Sequence, residues 1–300
     1  MARIVVKEAE KLIDKPIPVL DKGFVRLVDY LGGDQRIVQA ARVSYGSGTK
    51  SYREDKGLIH YLYRNRHTSP FEQVILTFHC KLPIFVARQW IRHRTARLNE
   101  LSGRYSVMSD EFYLPAEERV QAQSTEDRQA SGERLPARQA RRVRDMLSTE
   151  QQSAYWHYNE ILSAGVAREL ARINLPLSLY TEWYWQIDLH NLFHFLRLRL
   201  DEHAQYEIRQ YAKVMGKCAK AVAPMAYGAF EEYDLLAARF SSRELKLLRR
   251  IAKKAGLEPD SDLSSLSKLP KKRLSEFVRK LWGDAGGIEP PEFKPVDRGG

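Results

Sequence analysis

A chain of 300 residues, of which 43% are hydrophobic, is long enough for one large domain or two modest ones with an ample core. Cys80 and Cys218 are too few and too far apart for a disulfide framework or a metal knuckle, and neither a secretion signal nor a membrane-spanning apolar run is present, so we expect a soluble cytoplasmic protein. The net charge of +11 and the pI of about 9.5 suggest an anionic partner.

Hydrophobic periodicity predicts a mixture of strands and helices in the first third of the chain. In chain order, we predict short strands and turns over 1–34, a helix over 34–45, a polar turn over 41–48, a helix over 55–66, a strand over 73–80, and a helix that has Pro83 in its first turn and runs to about Arg94. The strand is predicted from its alternation, which places Leu76, Phe78 and Cys80 on one face. It leads directly into the last helix of this series.

Between the second helix and the strand, Ser69-Pro70-Phe71-Glu72 is typical of a helix start, with Ser69 as N-cap and Glu72 completing a capping box. A purely structural role and a binding role for this segment are compatible, and both stay open.

The rest of the chain is predicted to be mainly helical. In chain order, we predict a surface insertion over 116–150 with some helix or partial disorder, a long helix over 148–174, a strand over 181–187 with Thr181, Trp183, Trp185 and Ile187 on its core face, a helix capped by Asp188 that continues to about 222, two basic amphipathic helices over 241–256 and 270–282, and a Pro/Gly-rich tail over 286–300.

Most of the positive charge lies in the C-terminal region. Between Arg239 and Lys280, 13 Lys or Arg residues stand against 5 Asp or Glu, a net charge of +8, whereas the rest of the chain carries only +3. A solvated basic appendage is the simplest interpretation, and binding of nucleic acid or another acidic partner is the sharper alternative.

The stretch 88–106 contains 5 arginines, one histidine and no lysine. Arginine offers a rigid fork of donors for phosphate, carboxylate or the edge of a heterocycle. The interleaved Ile, Trp and Leu side chains indicate that the stretch is partly buried, which argues against a solvated basic helix. Because Asn99, Ser102 and Gly103 indicate an irregular segment, we predict an anion site built half on a helix and half on a loop.

His190 and His194 lie one helical turn apart, which could be half of a zinc site. No matching third ligand lies nearby in the sequence, so we expect no metal. The alternative is that these imidazoles, with Asp188 and Arg199, form hydrogen bonds with an adenine and ribose-phosphate edge.

Arg92-His93-Arg94-x-x-Arg97-x-Asn99-Glu100-x-Ser102-x-Arg104-Tyr105 resembles the signature R-H-R-x-x-S-x-N-E-x-S-x-R-Y of the flavin-dependent thymidylate synthases, with Arg97 in place of the family's first Ser. Two further segments resemble the same family, 167–181 and 198–208, the latter matching L-R-x-x-x-x-A-Q-x-E-I. The resemblance runs from about residue 24 to about 230 and is interrupted by 116–150.

The resemblance implies an α+β fold, a sheet-containing core with long packed helices, and a homotetramer whose sites are shared between subunits. It divides the chain into a thymidylate synthase domain over 1–234, with the insertion 116–150, and a basic extension of unknown function over 235–300. It implies conversion of dUMP to dTMP, with methylenetetrahydrofolate as carbon donor, FAD as cofactor and NADPH as reductant.

The resemblance also implies roles for individual residues. Arg199 is expected to be catalytic, at the uracil edge, and His67 to lie near the folate. FAD is expected to be held by Ser69, Arg92, His93, Arg94, Glu100, Asp188, Leu189, His190 and His194. dUMP is expected to be held by Gln89, Trp90, Ile91, Arg92, Glu100, Leu101, Ser102, Gly103, Arg104, Arg172 and Arg199.

Neither cysteine lies in an arginine- or histidine-rich setting that would generate a thiolate, which favours the flavin route over a cysteine nucleophile. The competing hypotheses are a nucleic-acid-binding protein that uses the Arg-rich stretch and the C-terminal tail, and a flavoprotein of unrelated activity. No recognised DNA-binding pattern supports the first, which leaves the basic tail as the only candidate contact with nucleic acid. No membrane partner is expected.

Overall fold

The computed structural model describes residues 3–43, 52–125, 131–257 and 271–282. Residues 44–48 of the predicted polar turn and the tail 286–300 lie outside these ranges. The chain divides into two compact units, 1–237 and 238–300.

The strands are β1 (Ile17–Val19), β2 (Gly23–Leu31), β3 (Ile75–Pro83), β4 (Arg97–Glu100), β5 (Gln121–Gln123), β6 (Ser131–Arg134) and β7 (Tyr180–Asp188). The helices are α1 (Lys7–Glu10), α2 (Asp34–Ala41), α3 (Tyr52–Arg64), α4 (Ser69–Glu72), α5 (Ile84–Trp90), α6 (Ala137–Ser163), α7 (Arg168–Ala171), α8 (Leu189–Arg199), α9 (Tyr206–Val222), α10 (Pro224–Phe230), α11 (Ser242–Lys254) and α12 (Lys271–Trp282).

The first unit is built on a 5-stranded antiparallel sheet in the order β1-β2-β3-β7-β4. Phe78 of β3 lies opposite Trp185 of β7, and the alternating residues of both strands point into one core, as their sequence patterns predict. Helices α5, α8 and α9 bury their apolar residues in the same core. This arrangement confirms a mixed helix-and-sheet fold.

Trp90 forms the centre of that core. It is 0% exposed, and its ring packs against Trp183, Trp185, Phe195 and Tyr211 at centroid distances of 5.1–5.8 Å. The last residue of α5 is therefore fixed against the sheet and against helices α8 and α9, and the arginines around it are held by this anchor.

Several predicted boundaries are wrong near this anchor. Strand β3 runs through Pro83, which becomes the residue before α5 rather than its first turn, and α5 ends at Trp90 rather than near Arg94. The segment predicted as irregular contains strand β4, an edge strand that pairs with β7. All four residues of β4 are exposed, so no alternation in the sequence reveals it.

The helices after the insertion also differ from the predictions. Helix α6 begins at Ala137, inside the predicted insertion, and ends at Ser163, because Gly165 adopts a left-handed conformation (φ +82°) that breaks the helical path. A short helix, α7, and a 3₁₀ turn then replace the rest of the predicted 148–174 helix. The hairpin of β5 and β6 forms the rest of the described insertion.

Two helix starts were predicted with different success. Asp188 caps α8, as predicted, by accepting a hydrogen bond from the Asn191 N–H at 2.9 Å. The helix was predicted to continue to about residue 222, but α8 ends at Arg199 and α9 is a separate helix. Helix α4 begins at Ser69 itself, and the preceding Thr68 makes no side-chain capping bond, so the predicted capping box is absent.

In the second unit, α11 and α12 form where they were predicted, and Ser241 and Glu244 complete a capping box at the start of α11. Among the described residues, none of the helices combines the length and the apolar character needed to cross a bilayer.

Candidate functional site

Four arginines follow one another around the end of α5: Arg88, Arg92, Arg94 and Arg97. All four are exposed, and within the described ranges none of them forms an ion pair with a carboxylate. The stretch therefore presents an excess of rigid cationic donors for which the described residues supply no carboxylate partners.

The Arg199 side chain, at the end of α8, reaches back to this stretch. Its Nε donates to Nε2 of His93 at 3.1 Å, and its Nη2 donates to the Gln89 carbonyl at 3.4 Å. Burial lowers the pKa of the Arg199 guanidinium from its usual value, but an arginine keeps its proton in any ordinary buffer. Arg199 is thus a half-buried cation whose partners are neutral.

His93 is held neutral by the same arrangement. Burial, then the Arg199 charge and His194, lowers the pKa of His93 to about 4. A guanidinium N–H can only donate, so Nε2 of His93 is the accepting nitrogen and the ring proton lies on Nδ1. Edge-on packing against Phe195, with centroids 4.8 Å apart, fixes the ring.

The residues predicted to hold FAD on α8 differ in their accessibility. The Asp188 carboxylate is engaged by Asn191, which donates its N–H and its side-chain amide. Leu189 is buried in the core and its N–H donates to the Val74 carbonyl, so its side chain cannot reach a surface ligand. His194 is exposed and contacts Arg197 at 3.3 Å, and burial followed by the Arg197 charge lowers the pKa of His194. His190 is half-buried on the same helix.

A second group of predicted residues lies beyond β4. The Glu100 carboxylate accepts a hydrogen bond from Thr181 at 2.8 Å, and Arg104 pairs with Glu169 at 3.0 Å. Gly103 lies directly under Arg172, since a Cβ at Gly103 would lie 3.0 Å from Arg172 Cδ. The absence of a side chain there is what allows Arg172 to approach the loop backbone.

Ser102 lies in this loop, and its Oγ accepts a hydrogen bond from the Arg104 N–H at 3.3 Å. No general base is within hydrogen-bonding distance of that hydroxyl among the described residues, as expected for a binding rather than a nucleophilic serine. Leu101 is exposed, and its N–H donates to the Glu182 carbonyl at 2.8 Å.

The structure thus brings the predicted residues together in two groups rather than one. Gln89, His93 and Arg199, with His194 in ring contact with His93 at 6.0 Å, form the first, and 100–104 with Arg172 form the second. In the part of the chain that the structure describes, hydrogen bonds and ion pairs join residues within each group but not between them. Of the remaining predicted residues, Ile91 is exposed next to the first group, whereas the Trp90 side chain is in the core and faces no ligand.

Ser69 and His67 lie on a separate segment that packs against α8. Both are exposed, and the His67 ring packs edge-on against Tyr61 at 6.0 Å. Among the described residues, no three His, Cys, Asp or Glu side chains converge as metal ligands.

The sequence analysis did not predict two contacts at the site. Gln205, the residue before α9, accepts a hydrogen bond from the Gln89 side chain, and Glu169 is the partner of Arg104. A signal existed for Gln205 alone, because it is one of the fixed letters of the segment 198–208. Gln205 also borders a cavity of about 620 Å³, whose wall includes Gln121 and Ser131 of the insertion hairpin.

Comparison with known proteins gives a consistent result. The family model described as thymidylate synthase complementing protein matches residues 26–225. The flavin-dependent thymidylate synthase of Treponema denticola is 59% identical over 270 residues, covering 90% of this chain and 98% of that protein. That of Rickettsia conorii is 52% identical over 294 residues, covering 94% of this chain and 98% of that protein, so its match includes part of 235–300.

Among solved structures, the UMP/dUMP methylase PolB from Streptomyces cacaoi, bound with 5-Br dUMP, superposes with a TM-score of 0.67 at 32% sequence identity. The match covers 73% of this chain and 99% of that protein.

Proposed function

The chain belongs to the flavin-dependent thymidylate synthase family and makes dTMP from dUMP, and from that premise we propose that it uses FAD as its flavin, NADPH as reductant and methylenetetrahydrofolate as carbon donor. The observation that carries this proposal is the cluster of exposed arginines without carboxylate partners around Trp90. Both dUMP and FAD carry phosphate groups, and bidentate arginine contacts are the strongest that a protein offers them.

The donor set fits a flavin nucleotide. Arg92 and Arg94 supply cations for a pyrophosphate, and the imidazoles of His190 and His194 supply hydrogen-bonding groups. Glu100, Ser69 and the carboxylate of Asp188 complete the proposed FAD site, with Leu189 contributing backbone only. When bound, the reduced flavin supplies the hydride that completes the methyl group.

Arg199 acts on the uracil ring in this proposal. Attack by C5 of dUMP requires extra electron density in the ring, which rises as the N3 proton is lost or shared. A guanidinium fixed at the ring edge stabilises the resulting negative charge. Two of the five N–H donors of Arg199 are used by His93 and Gln89, and the other three have no partner among the described residues. They are therefore available to the ring.

The cysteines support a route without a thiolate. Both are fully buried, and burial raises the pKa of Cys218 to about 12 and that of Cys80 well above its usual value. A thiol that stays protonated cannot add to C6 of the uracil at neutral pH.

We assign dUMP binding to both groups of residues. Gln89 to Arg92 lie beside Arg199, with Trp90 contributing backbone only, whereas Leu101 to Arg104 and Arg172 form the second group. Arg104 already pairs with the exposed Glu169, so a phosphate must compete with that carboxylate or share the guanidinium. We assign the exposed His67 to the folate.

Because no hydrogen bond or ion pair joins the two groups within the described part of one chain, we propose that they meet in a homotetramer, one from each of two subunits. The apolar side chains exposed around the second group support this assembly: Tyr105 is 80% exposed and Ile173 is 71% exposed. Residues with that much apolar surface are typical of an interface between copies.

The deciding assay is formation of dTMP by the purified yellow protein. Product is expected only when dUMP, methylenetetrahydrofolate and NADPH are all present. Arg199→Lys keeps the charge but loses the planar fork, so it should bind FAD and dUMP yet turn over about 10²–10³ times more slowly. A colourless protein that binds nucleic acid and makes no dTMP would instead support the alternative based on charge.

A further inference from the structure

The strongest contact of the catalytic arginine is with a histidine 106 residues away in the chain. Arg199 Nε and His93 Nε2 lie 3.1 Å apart, within ordinary hydrogen-bonding distance. The second contact, from Nη2 to the Gln89 carbonyl, is longer at 3.4 Å. No carboxylate forms an ion pair with Arg199 in the described ranges, so the two neutral acceptors alone set the direction of its fork.

His93 is itself rigidly placed. Its N–H donates to the Trp90 carbonyl at 3.0 Å, and Trp90 is the anchor of the core. Its ring stands edge-on to Phe195, another fully buried residue, with an interplanar angle of 74°. The accepting nitrogen is therefore fixed relative to the sheet, and it can transmit that position to Arg199.

We propose that His93 is a positioning residue for Arg199: its neutral Nε2 holds the guanidinium fork in line with the uracil edge without neutralising the charge. This inference rests on the role of Arg199 in the proposed function. It goes beyond the flavin contact that the family signature implies for His93.

The choice of a neutral acceptor has a physical reason. Arginines in protein interiors are commonly held by carboxylates, which form strong bidentate pairs but cancel the positive field. A cation that must stabilise a developing anion keeps its field only if its holder is uncharged. His93 meets this condition because burial and the Arg199 charge lower its pKa to about 4, so it stays neutral across the pH range in which enzymes work.

The test combines two substitutions at His93 with Arg199→Lys. His93→Phe keeps a ring against Phe195 but removes the acceptor, whereas His93→Gln places an amide oxygen near the position of Nε2. A hydrogen bond to a charged group is typically worth enough for a rate change of about ten- to a hundredfold. We expect that loss in kcat per bound flavin for His93→Phe, with dUMP affinity retained, and substantial recovery in His93→Gln.

The double variant makes the test specific. If His93 acts through Arg199, then adding His93→Phe to Arg199→Lys changes kcat little, since the fork to be positioned is already gone. Equal losses in both backgrounds, or loss of FAD with kcat per bound flavin unchanged, would overturn the positioning role. If His93→Phe does not fold, comparison of His93→Gln with the shorter His93→Asn decides: equal kcat values for these two refute the inference.

Failure of this inference is distinguishable from failure of the proposed function. A normal kcat in Arg199→Lys removes the catalytic role of Arg199, and no dTMP from the wild-type protein removes the function itself. A slow Arg199→Lys combined with an additive His93→Phe leaves the function standing and rejects only the positioning role.

Discussion

Trp90 lies in the middle of the arginine-rich stretch, and the structure gives it a role that the signature does not. We expect Trp90→Ala to destabilise the fold by about 3–5 kcal/mol, the usual cost of truncating a fully buried aromatic side chain. Each of its four aromatic contacts contributes roughly 0.5–1.5 kcal/mol to that loss. For a unit of this size, the melting temperature should fall by roughly 6–20 °C.

Trp90→Phe sharpens the prediction. The indole Nε1 is buried and has no hydrogen-bond partner among the described residues, so removing it costs no hydrogen bond and relieves an unsatisfied donor. We therefore expect a loss of only about 1–2 kcal/mol for this variant. Ile91→Ala is the matched control, because Ile91 is the next residue but is 38% exposed, and its cost should stay within about 0.5 kcal/mol.

The assay is denaturant unfolding at fixed protein and FAD concentrations, with dUMP affinity measured on the folded fraction. The reasoning is refuted if Trp90→Ala is no less stable than Ile91→Ala. It is also refuted if Trp90→Phe has the expected stability but binds dUMP many times more weakly, because the indole ring of Trp90 would then contact the ligand.

Three further predictions concern other parts of the molecule. Replacing Cys80 and Cys218 together by Ala should leave kcat largely intact with a modest loss of stability, and a folded but inactive double variant that binds FAD and dUMP would contradict the flavin route. Truncation after Ala237 should keep bound flavin and activity. Truncation after Phe230 should lose both, because it removes the Asp234 carboxylate that accepts a hydrogen bond from Tyr63. The flavin absorption spectrum and the turnover rate of the two truncated proteins test this difference. The pKa of His93 is lowered to about 4, so its contribution to stability is present above the usual pKa of about 6.5 and is lost as the pH falls towards 4. The melting temperatures at pH 7 and pH 5 should therefore differ less in His93→Gln than in the wild type.

The elements that the sequence predicts well have an alternating or capping pattern within their own residues. Strands β3 and β7 alternate because one face of each is buried, and both were predicted within three residues at either end. The start of helix α8 was predicted correctly because Asp188 caps it, whereas its end at Arg199 was not. Strand β4 has no such signal: its four residues are exposed, and it exists because the edge of β7 offers hydrogen bonds from a distant part of the chain.

The site, too, is predictable from the sequence only in part. The signature identifies which arginines are present, but hydrophobic periodicity cannot show that Trp90 points into the core while its neighbours Ile91 and Arg92 point out. Nor can it show that Arg199 and His93 meet, because their contact depends on how α8 packs against α5. These facts belong to tertiary packing, which local patterns do not encode.

The arginines of this chain differ in whether a carboxylate pairs with them. Arg42 pairs with Asp55 at 2.8 Å, with both side chains nearly buried, and Arg66 pairs with Asp234 at 3.0 Å, so these cations serve the fold. The exposed arginines from 88 to 97 lack such partners among the described residues, and a bound anion would reduce the repulsion among these four cations. Without a bound anion, this cluster of arginines does not stabilise the fold. In the proposed function the ligand phosphates supply the counter-charges, so we expect ligand binding and stability to be coupled, with dUMP and FAD each raising the melting temperature as their concentrations rise above Kd.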